Sequence, residues 1–185
     1  MRATATRRVL CAATAVLLGL SVAGCSGSSK SKPGTFASTL PSATGASGTL
    51  TKTEFLNKMN SVCAAIDTER KVLPTPSGPT DYANIAANLS GTLRLLPAFI
   101  AQADALVQRS PDKVELNAKW LSIEKADFAA VKPLAEKMVA DSDAKDATKV
   151  PADGEALSGA PDHSATIADY MTSYGLTECA TLESQ

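Results

Sequence analysis

Apolar residues recur at three- and four-residue steps from Thr49 onward, and this spacing restricts the fold to packed α-helices. Residues spaced in this way share one helix face, which has to be buried against a neighbouring element. No segment shows the alternation of apolar and polar positions, rich in β-branched residues, that is typical of strands. The sequence therefore predicts an all-α domain. The clearest stripe consists of Phe55, Met59, Val62, Cys63 and Ile66.

Residues typical of helix ends occur near the beginning and the end of this helical region. Thr51 and Glu54 have the spacing of a capping box, in which a hydroxyl and a carboxylate bond the free backbone amides at a helix start. The last helix is expected over residues 164–174. Gly175 can then take the left-handed conformation that ends a helix, and Leu176 folds back on the last turn as in a Schellman motif.

Between these ends the pattern predicts a second and a third helix. Asp81 is expected to cap the second, and Ser110-Pro111 opens the third in the usual order of a cap followed by proline. Pro97 either kinks the second helix or starts a new one. Residues 141–161 are acidic and broken by Gly and Pro, which predicts a long loop. The result is a small four- or five-helix bundle with an up-and-down-like arrangement.

The N-terminus has the composition of a processing signal. Residues 1–8 contain three arginines, and residues 9–24 are almost wholly apolar or small. The four residues ending at Cys25, V-A-G-C, resemble the box of bacterial lipoproteins. That resemblance implies removal of residues 1–24 and attachment of diacylglyceryl and acyl chains such as palmitate to Cys25, which anchor the chain on the extracytoplasmic face of the cell membrane. The alternative is an ordinary secretory signal with a chance cysteine at its cleavage site.

The segment after Cys25 is predicted to be a tether. Of residues 26–48, 16 of 23 are Ser, Gly, Thr or Pro, which leaves too little apolar surface to offset the entropy of ordering. We therefore expect a disordered tether over residues 25–48, spanning about 26 Å as a Gly/Ser-like coil. The helical domain is then residues 49–185.

Two cysteines remain once Cys11 is removed with the signal and Cys25 carries lipid. Cys63 and Cys179 have one possible intramolecular pairing, and export places them where disulfides persist. We expect a disulfide that ties the first helix to the C-terminal region. The alternatives are a redox pair or two free reactive thiols.

The combination of signal, tether and two short motifs is similar to the small helical lipoproteins of actinobacteria. The resemblance implies a disulfide-closed helical domain on the outer face of the membrane, and it implies no activity. The motifs that carry it are Asn60-x-x-Cys63 and Tyr174-Gly175-Leu176-x-x-Cys179-Ala180.

Catalytic and metal chemistry find little support in the residues. His163 is the single histidine, and its neighbours Asp162 and Ser164 are too close in sequence to converge on it as a catalytic triad. Asp162 or Ser164 is interpreted instead as a helix cap. Residues 141–152 depart from the calcium-loop pattern at three positions, and zinc would need more Cys and His ligands. We expect no enzyme, no metal and no cofactor.

The remaining candidates are binding functions. Trp120, Phe128 and Tyr170 could line an apolar pocket, although aromatic residues at helical spacing are commonly core. The signal and tether carry five of the 18 basic residues and none of the 19 acidic ones, so the predicted domain has a net charge of −6, which disfavours nucleic acid. The prediction is a membrane-anchored, non-catalytic interaction or accessory module with an unknown envelope protein as partner. The alternative is a carrier or sensor for a small apolar ligand held between the helices.

Overall fold

A computed structural model describes residues 48–185 of the protein. The predicted signal, the lipidation site Cys25 and the tether up to residue 47 lie outside the described residues. No strand occurs in the described part, and the all-α prediction is confirmed. The helices are α1 (Lys52–Lys71), α2 (Tyr82–Val107), α3 (Lys113–Leu116), α4 (Ser122–Asp143), α5 (Lys149–Ser158), α6 (Ser164–Tyr174) and α7 (Thr177–Glu183).

The start of α1 follows the predicted capping box. The backbone amide of Thr51 donates to Glu54 Oε2 at 2.8 Å, and the amide of Glu54 donates to Thr51 Oγ1 at 3.2 Å. All five residues of the predicted stripe are buried. The local pattern of α1 was therefore sufficient to define both its first turn and its inner face.

The helices enclose two core clusters. The larger one joins α1, the second half of α2, α6 and α7, and its largest fully buried side chains include Trp120, Phe55, Phe99 and Met59. The smaller one lies where the first half of α2, the second half of α4 and α5 meet, and it is formed by Ile85, Met138 and Val150. Helix α2 contributes buried residues to both clusters, and α4 packs along it.

Trp120 belongs to a π-helical turn, Asn117–Leu121, that joins α3 to α4 without a break. Leu116, Trp120 and Leu121 are all fully buried. A π turn holds one residue more than an α turn, which changes the face that the following residues present. The third helix begins at Lys113 with Asp112 as its N-cap residue, so the expectation that Ser110-Pro111 opens it is wrong. Ser110 Oγ instead accepts a hydrogen bond from the amide of Asp112 at 3.2 Å, in the turn before the helix.

The segment predicted as a long loop contains helix α5, so that prediction is wrong. Asp146 Oδ1 accepts hydrogen bonds from the backbone amides of Thr148 and Lys149, both at 3.1 Å, and so satisfies donors at the helix start. Val150 is buried in the smaller cluster, and Lys137 of α4 forms an ion pair with the buried Asp153. These tertiary contacts stabilise a helix whose Gly and Pro content disfavours it.

Two other expectations are corrected in α2. Pro97 lies inside the helix, which continues to Val107, so it does not start a new helix. Asp81 precedes α2 as predicted, but its carboxylate caps no backbone amide of the helix. It accepts instead from the amide of Ser77 and from Asn84 Nδ2, both at 2.9 Å, and this organises the loop before the helix.

The end of α6 has the predicted Schellman geometry. Gly175 has φ 101°, its amide donates to Thr172 O at 3.2 Å, and the amide of Leu176 donates to Met171 O at 2.8 Å. Helical structure continues beyond this turn, because α7 begins at Thr177. The prediction that the last helix ends at residue 174 is therefore wrong.

Candidate functional site

A buried disulfide joins α1 to α7 within the larger core cluster. Cys63 on α1 and Cys179 on α7 are bonded, with their Cα atoms 5.0 Å apart, and neither residue is exposed. The predicted pairing is therefore confirmed. It connects positions separated by 116 residues, so the C-terminal helix is covalently fixed to the first helix.

Asn60 reinforces this connection from one turn before Cys63. Its Nδ2 donates to Gly175 O at 3.3 Å, and its Oδ1 accepts from the backbone amide of Glu178 at 3.1 Å. The second bond satisfies a free amide in the first turn of α7. Asn60 thus caps α7 from a different helix, a role that local sequence could not reveal.

A histidine–carboxylate pair lies where the chain before α6 meets α4. His163 Nδ1 is 2.8 Å from Asp127 Oδ1 and 3.0 Å from Asp127 Oδ2. The backbone amide of His163 also donates to Asp127 Oδ2 at 3.1 Å. The His163 side chain is 52% exposed, so this His–Asp pair is open to solvent.

Two glutamates accompany this pair. Burial, with the negative charge of Asp127, raises the pKa of Glu124 on α4 to about 7. Burial also raises the pKa of Glu183 at the end of α7 to about 8, and the charge of Glu124 adds to the effect. Carboxyls shifted this far bind and release protons near neutral pH. We define Glu124, Asp127, His163 and Glu183 as the acid–histidine cluster.

The N-cap residue of α6 is His163, and its neighbour Asp162 bonds a backbone amide at the helix start. Asp162 Oδ1 accepts from the backbone amide of Ser164 at 2.9 Å, at the start of α6. Asp127, the partner that His163 bonds, lies 36 positions away in the sequence and was not predicted. No local signal identifies Asp127, because its partnership depends on where the chain before α6 approaches α4 in the folded domain.

The residues proposed for an apolar pocket lie in three different environments. Trp120 is fully buried in the larger core, where its ring centroid is 6.3 Å from that of Phe99. Tyr170 is half-buried and stacks on Tyr174, with 5.9 Å between ring centroids. Phe128 is half-buried and belongs to neither core cluster.

A second polar junction surrounds Tyr174 at the opposite end of α6. Its hydroxyl donates to Asp112 Oδ2 at 2.7 Å, and Lys52 Nζ lies 4.2 Å from the centre of its ring. Burial, followed by the hydrogen bond to Asp112, raises the pKa of Tyr174 to about 12. These contacts fix the end of α6 against the starts of α1 and α3.

Residues 48–185 contain no group of three or more His, Cys, Asp or Glu side chains arranged to hold a metal ion. Within the same range no helix has the length and apolar character needed to cross a membrane. No protein-family model matches the chain, and comparison with curated proteins and with solved structures found no match.

Proposed function

We propose that this chain is a lipoprotein anchored through Cys25 in the cell membrane. Its helical domain then acts on the extracytoplasmic face as a non-catalytic interaction or accessory module of the cell envelope, with an envelope protein as partner. The proposal is supported by the V-A-G-C run at Cys25, by the composition of the tether and by the two cysteines of the domain, Cys63 and Cys179.

The buried disulfide is the observation that carries the proposal. Disulfides persist in oxidising compartments outside the cytoplasm, and small exported domains use them to supplement a modest core. Cys63 and Cys179 are both fully buried, which is typical of a structural bond and unlike the exposed, reactive cysteines of redox proteins. A structural disulfide is expected in an exported chain. It is therefore consistent with the predicted signal, which precedes Cys25.

The attachment point suggests which end of the domain meets a partner. The amide of Leu50 donates to Arg109 O at 2.8 Å, and Arg109 Nε donates to Gly48 O at 3.0 Å, so the chain enters beside the end of α2. Helix α1 leads about 30 Å away from this point, at 1.5 Å per residue. Residues 72–81 follow α1 at that far end, where Val72 is 66% exposed.

Membrane anchoring is tested by replacing Cys25. We expect Cys25→Ser to move the protein from the membrane fraction to the soluble or secreted fraction, because no acyl chain can be attached. Cys11→Ser is the matched control, since it removes a cysteine from the predicted signal and leaves the attachment site intact. A Cys25→Ser protein that has lost residues 1–24 and still stays in the membrane fraction would exclude lipid anchoring at this position.

The role of the far end is tested by crosslinking in intact cells. A photo-crosslinking amino acid at Val72 is expected to give one defined adduct with an envelope protein. The same amino acid at Val114, which is 78% exposed and lies at the opposite end near Asp112, is the control. Equal labelling from both positions would exclude a partner at the far end. Stoichiometric recovery of an apolar small molecule with the purified protein would favour the carrier function instead.

A further inference from the structure

Helix α5 packs apart from the core that the disulfide closes. Among residues 48–185, the larger core cluster includes no residue of α5, and the main helix contact of α5 is with α4. Its buried residue Val150 belongs to the smaller cluster with Ile85 of α2 and Met138 of α4, and Leu157 packs against this cluster. The position of α5 therefore depends on a few apolar contacts that are separate from the disulfide.

Ion pairs across the same contact hold α5 to α4. Lys137 of α4 forms ion pairs with the buried Asp153 and, at 2.8 Å, with Asp141. Lys149 Nζ, at the start of α5, lies 3.1 Å from Asp146 Oδ2 and 3.7 Å from Asp141 Oδ1. Both lysine side chains are more than half exposed, so water and salt weaken these pairs. The cation that pairs with the buried Asp153 is therefore itself open to solvent.

Two buried polar atoms on these helices are left without a hydrogen bond. In the part of the chain that the structure describes, neither Asp153 Oδ2 on α5 nor Ser142 Oγ on α4 has a hydrogen-bond partner within the protein. A buried polar atom without a partner has lost its hydrogen bonds to water and has gained none in return. Release of α5 returns Asp153 to water, so the burial of this carboxylate opposes the packing of α5.

The turn that leads into α5 adds backbone strain. Lys145, with φ 54°, is the one residue other than glycine that has a positive φ within residues 48–185. This conformation brings the Cβ of an ordinary residue close to the following carbonyl oxygen, and it persists only where the surrounding structure holds it. The amide of Lys145 donates to Ser142 O at 2.9 Å, which fixes the turn on the end of α4.

The chain is fixed again after α5. The backbone amide and Nδ1 of His163 both bond Asp127 on α4. Residues 145–160, which we call the lid, therefore lie between two points that are held on α4. A helix of 10 residues is not stable by itself in water, so α5 loses its helical structure when its contacts with α4 are released.

We propose that the lid opens and closes by itself while the disulfide-closed core stays folded. In the closed state the lid covers the apolar side chains of Ile85 and Met138, with Tyr82 and Leu89 packed beside them. In the open state α5 unravels, and this apolar surface of α2 and α4 is uncovered. The lid is thus the segment of the chain that occupies the surface and controls its exposure. This device goes beyond the proposed function and does not depend on it.

The native methionines provide a test on the purified full-length protein. Met138 lies in the smaller cluster under the lid, whereas Met59 and Met171 are fully buried in the larger core. Hydrogen peroxide transfers one oxygen atom to a methionine sulfur that it can reach, which gives the sulfoxide and water. We expect mass spectrometry to show that Met138 is oxidised at least about tenfold faster than Met59 and Met171. Equal rates at the three methionines would overturn the proposal.

Two substitutions in α5 should shift the lid in opposite directions. Gly154→Ala raises helix propensity, and its Cβ meets Met138 Cε at 3.9 Å, an ordinary contact, so oxidation of Met138 should slow about fourfold. Ala156→Gly, at an exposed position, lowers helix propensity and should speed that oxidation about fourfold. The rates at Met59 and Met171 should stay the same. A Met138 rate that changes in neither variant would contradict a lid that opens by unravelling.

Amide hydrogen exchange supplies a second readout. We expect protection of residues 149–158 to be at least about tenfold lower than in the middle of α1. It should also depend less on urea, because opening the lid exposes less surface than complete unfolding does. The same protection and urea dependence in both helices would mean that α5 opens only with the whole domain, and the proposal would be wrong.

Lys137→Ala tests the ion pair that holds the lid. It leaves the buried Asp153 without its cation and should lower the protection of α5 at least about tenfold, with α1 unchanged. Lys132→Ala is the matched control, because it breaks an exposed ion pair with Glu136 on the same helix and should leave α5 unaffected. Equal effects of the two substitutions would overturn the role of the ion pair. None of these measurements depends on membrane anchoring, so their failure is distinct from failure of the proposed function.

Discussion

Asn60 Nδ2 donates a hydrogen bond to the carbonyl of Gly175 at 3.3 Å, across 115 positions of sequence. The contact lies beside the disulfide, one turn before Cys63 on α1 and one turn before Cys179 on α7. The two short motifs, Asn60-x-x-Cys63 and Tyr174-Gly175-Leu176-x-x-Cys179-Ala180, therefore meet at one place. Their residues form a junction that combines a covalent bond, a helix cap and a left-handed turn.

Asn60→Ala tests the hydrogen bonds of this junction. The variant removes the donor to Gly175 O and the acceptor for the amide of Glu178, and both backbone groups lose a partner. We expect the free energy of unfolding, measured by urea titration with the disulfide intact, to fall by about 1–3 kcal/mol. Asn57→Ala, at an exposed position of the same helix, is the control and should have little effect. Equal losses in the two variants would contradict the assigned role.

Reduction of the Cys63–Cys179 bond should lower the stability of the domain strongly. A closed loop of 116 residues restricts the unfolded chain, and its release is expected to cost about 4–5 kcal/mol in the chain-entropy model. The measurement compares urea midpoints of oxidised and reduced protein. Because both sulfurs are buried, reduction is carried out in denaturant before refolding. Identical midpoints would show that the bond does not support the fold.

Gly175→Ala isolates the cost of the left-handed turn. A Cβ there would meet Leu56 at 3.5 and 3.6 Å, which is ordinary contact, so the penalty comes from the φ of 101°. We expect a loss of about 1–2 kcal/mol in unfolding free energy. Gly159→Ala is the matched control, because Gly159 also ends a helix but has φ −89°. A similar loss at both glycines would exclude the backbone explanation.

The loop before α2 should lose stability in strong acid. Hydrogen bonds from the amide of Ser77 and from Asn84 lower the pKa of Asp81 from 3.8 to about 2. A lowered pKa means that the ionised group stabilises the fold above 3.8 and that this contribution is lost as the pH falls through about 2. Asp81→Ala should therefore be less stable than wild type at pH 6, and the difference should close near pH 2.

Thermal unfolding across this pH range measures the difference. Asp143→Ala, at an exposed position at the end of α4, serves as the control and should show no such convergence. A difference between Asp81→Ala and wild type that persists unchanged at pH 2 would show that the carboxylate charge is not responsible.

Residues close together in sequence determined a large part of this domain. The stripe and capping box of α1 and the turn at Gly175 were all predictable, because each depends on contacts within about one helical turn. The pairing of Cys63 with Cys179 was predictable for a different reason, since it is the single intramolecular choice if Cys11 leaves with the predicted signal and Cys25 carries lipid, as we propose.

Tertiary structure alone decided the remaining features. Helix α5 forms because Val150 and Asp153 find partners on α4 that outweigh its Gly and Pro. Pro97 stays within α2 while Leu95 and Phe99 on either side of it are buried. The partnership of His163 with Asp127 depends on how separate helices pack, because no spacing rule connects residues 36 positions apart. Local sequence thus determines where most helices begin and end, and packing determines which side chains they bring together.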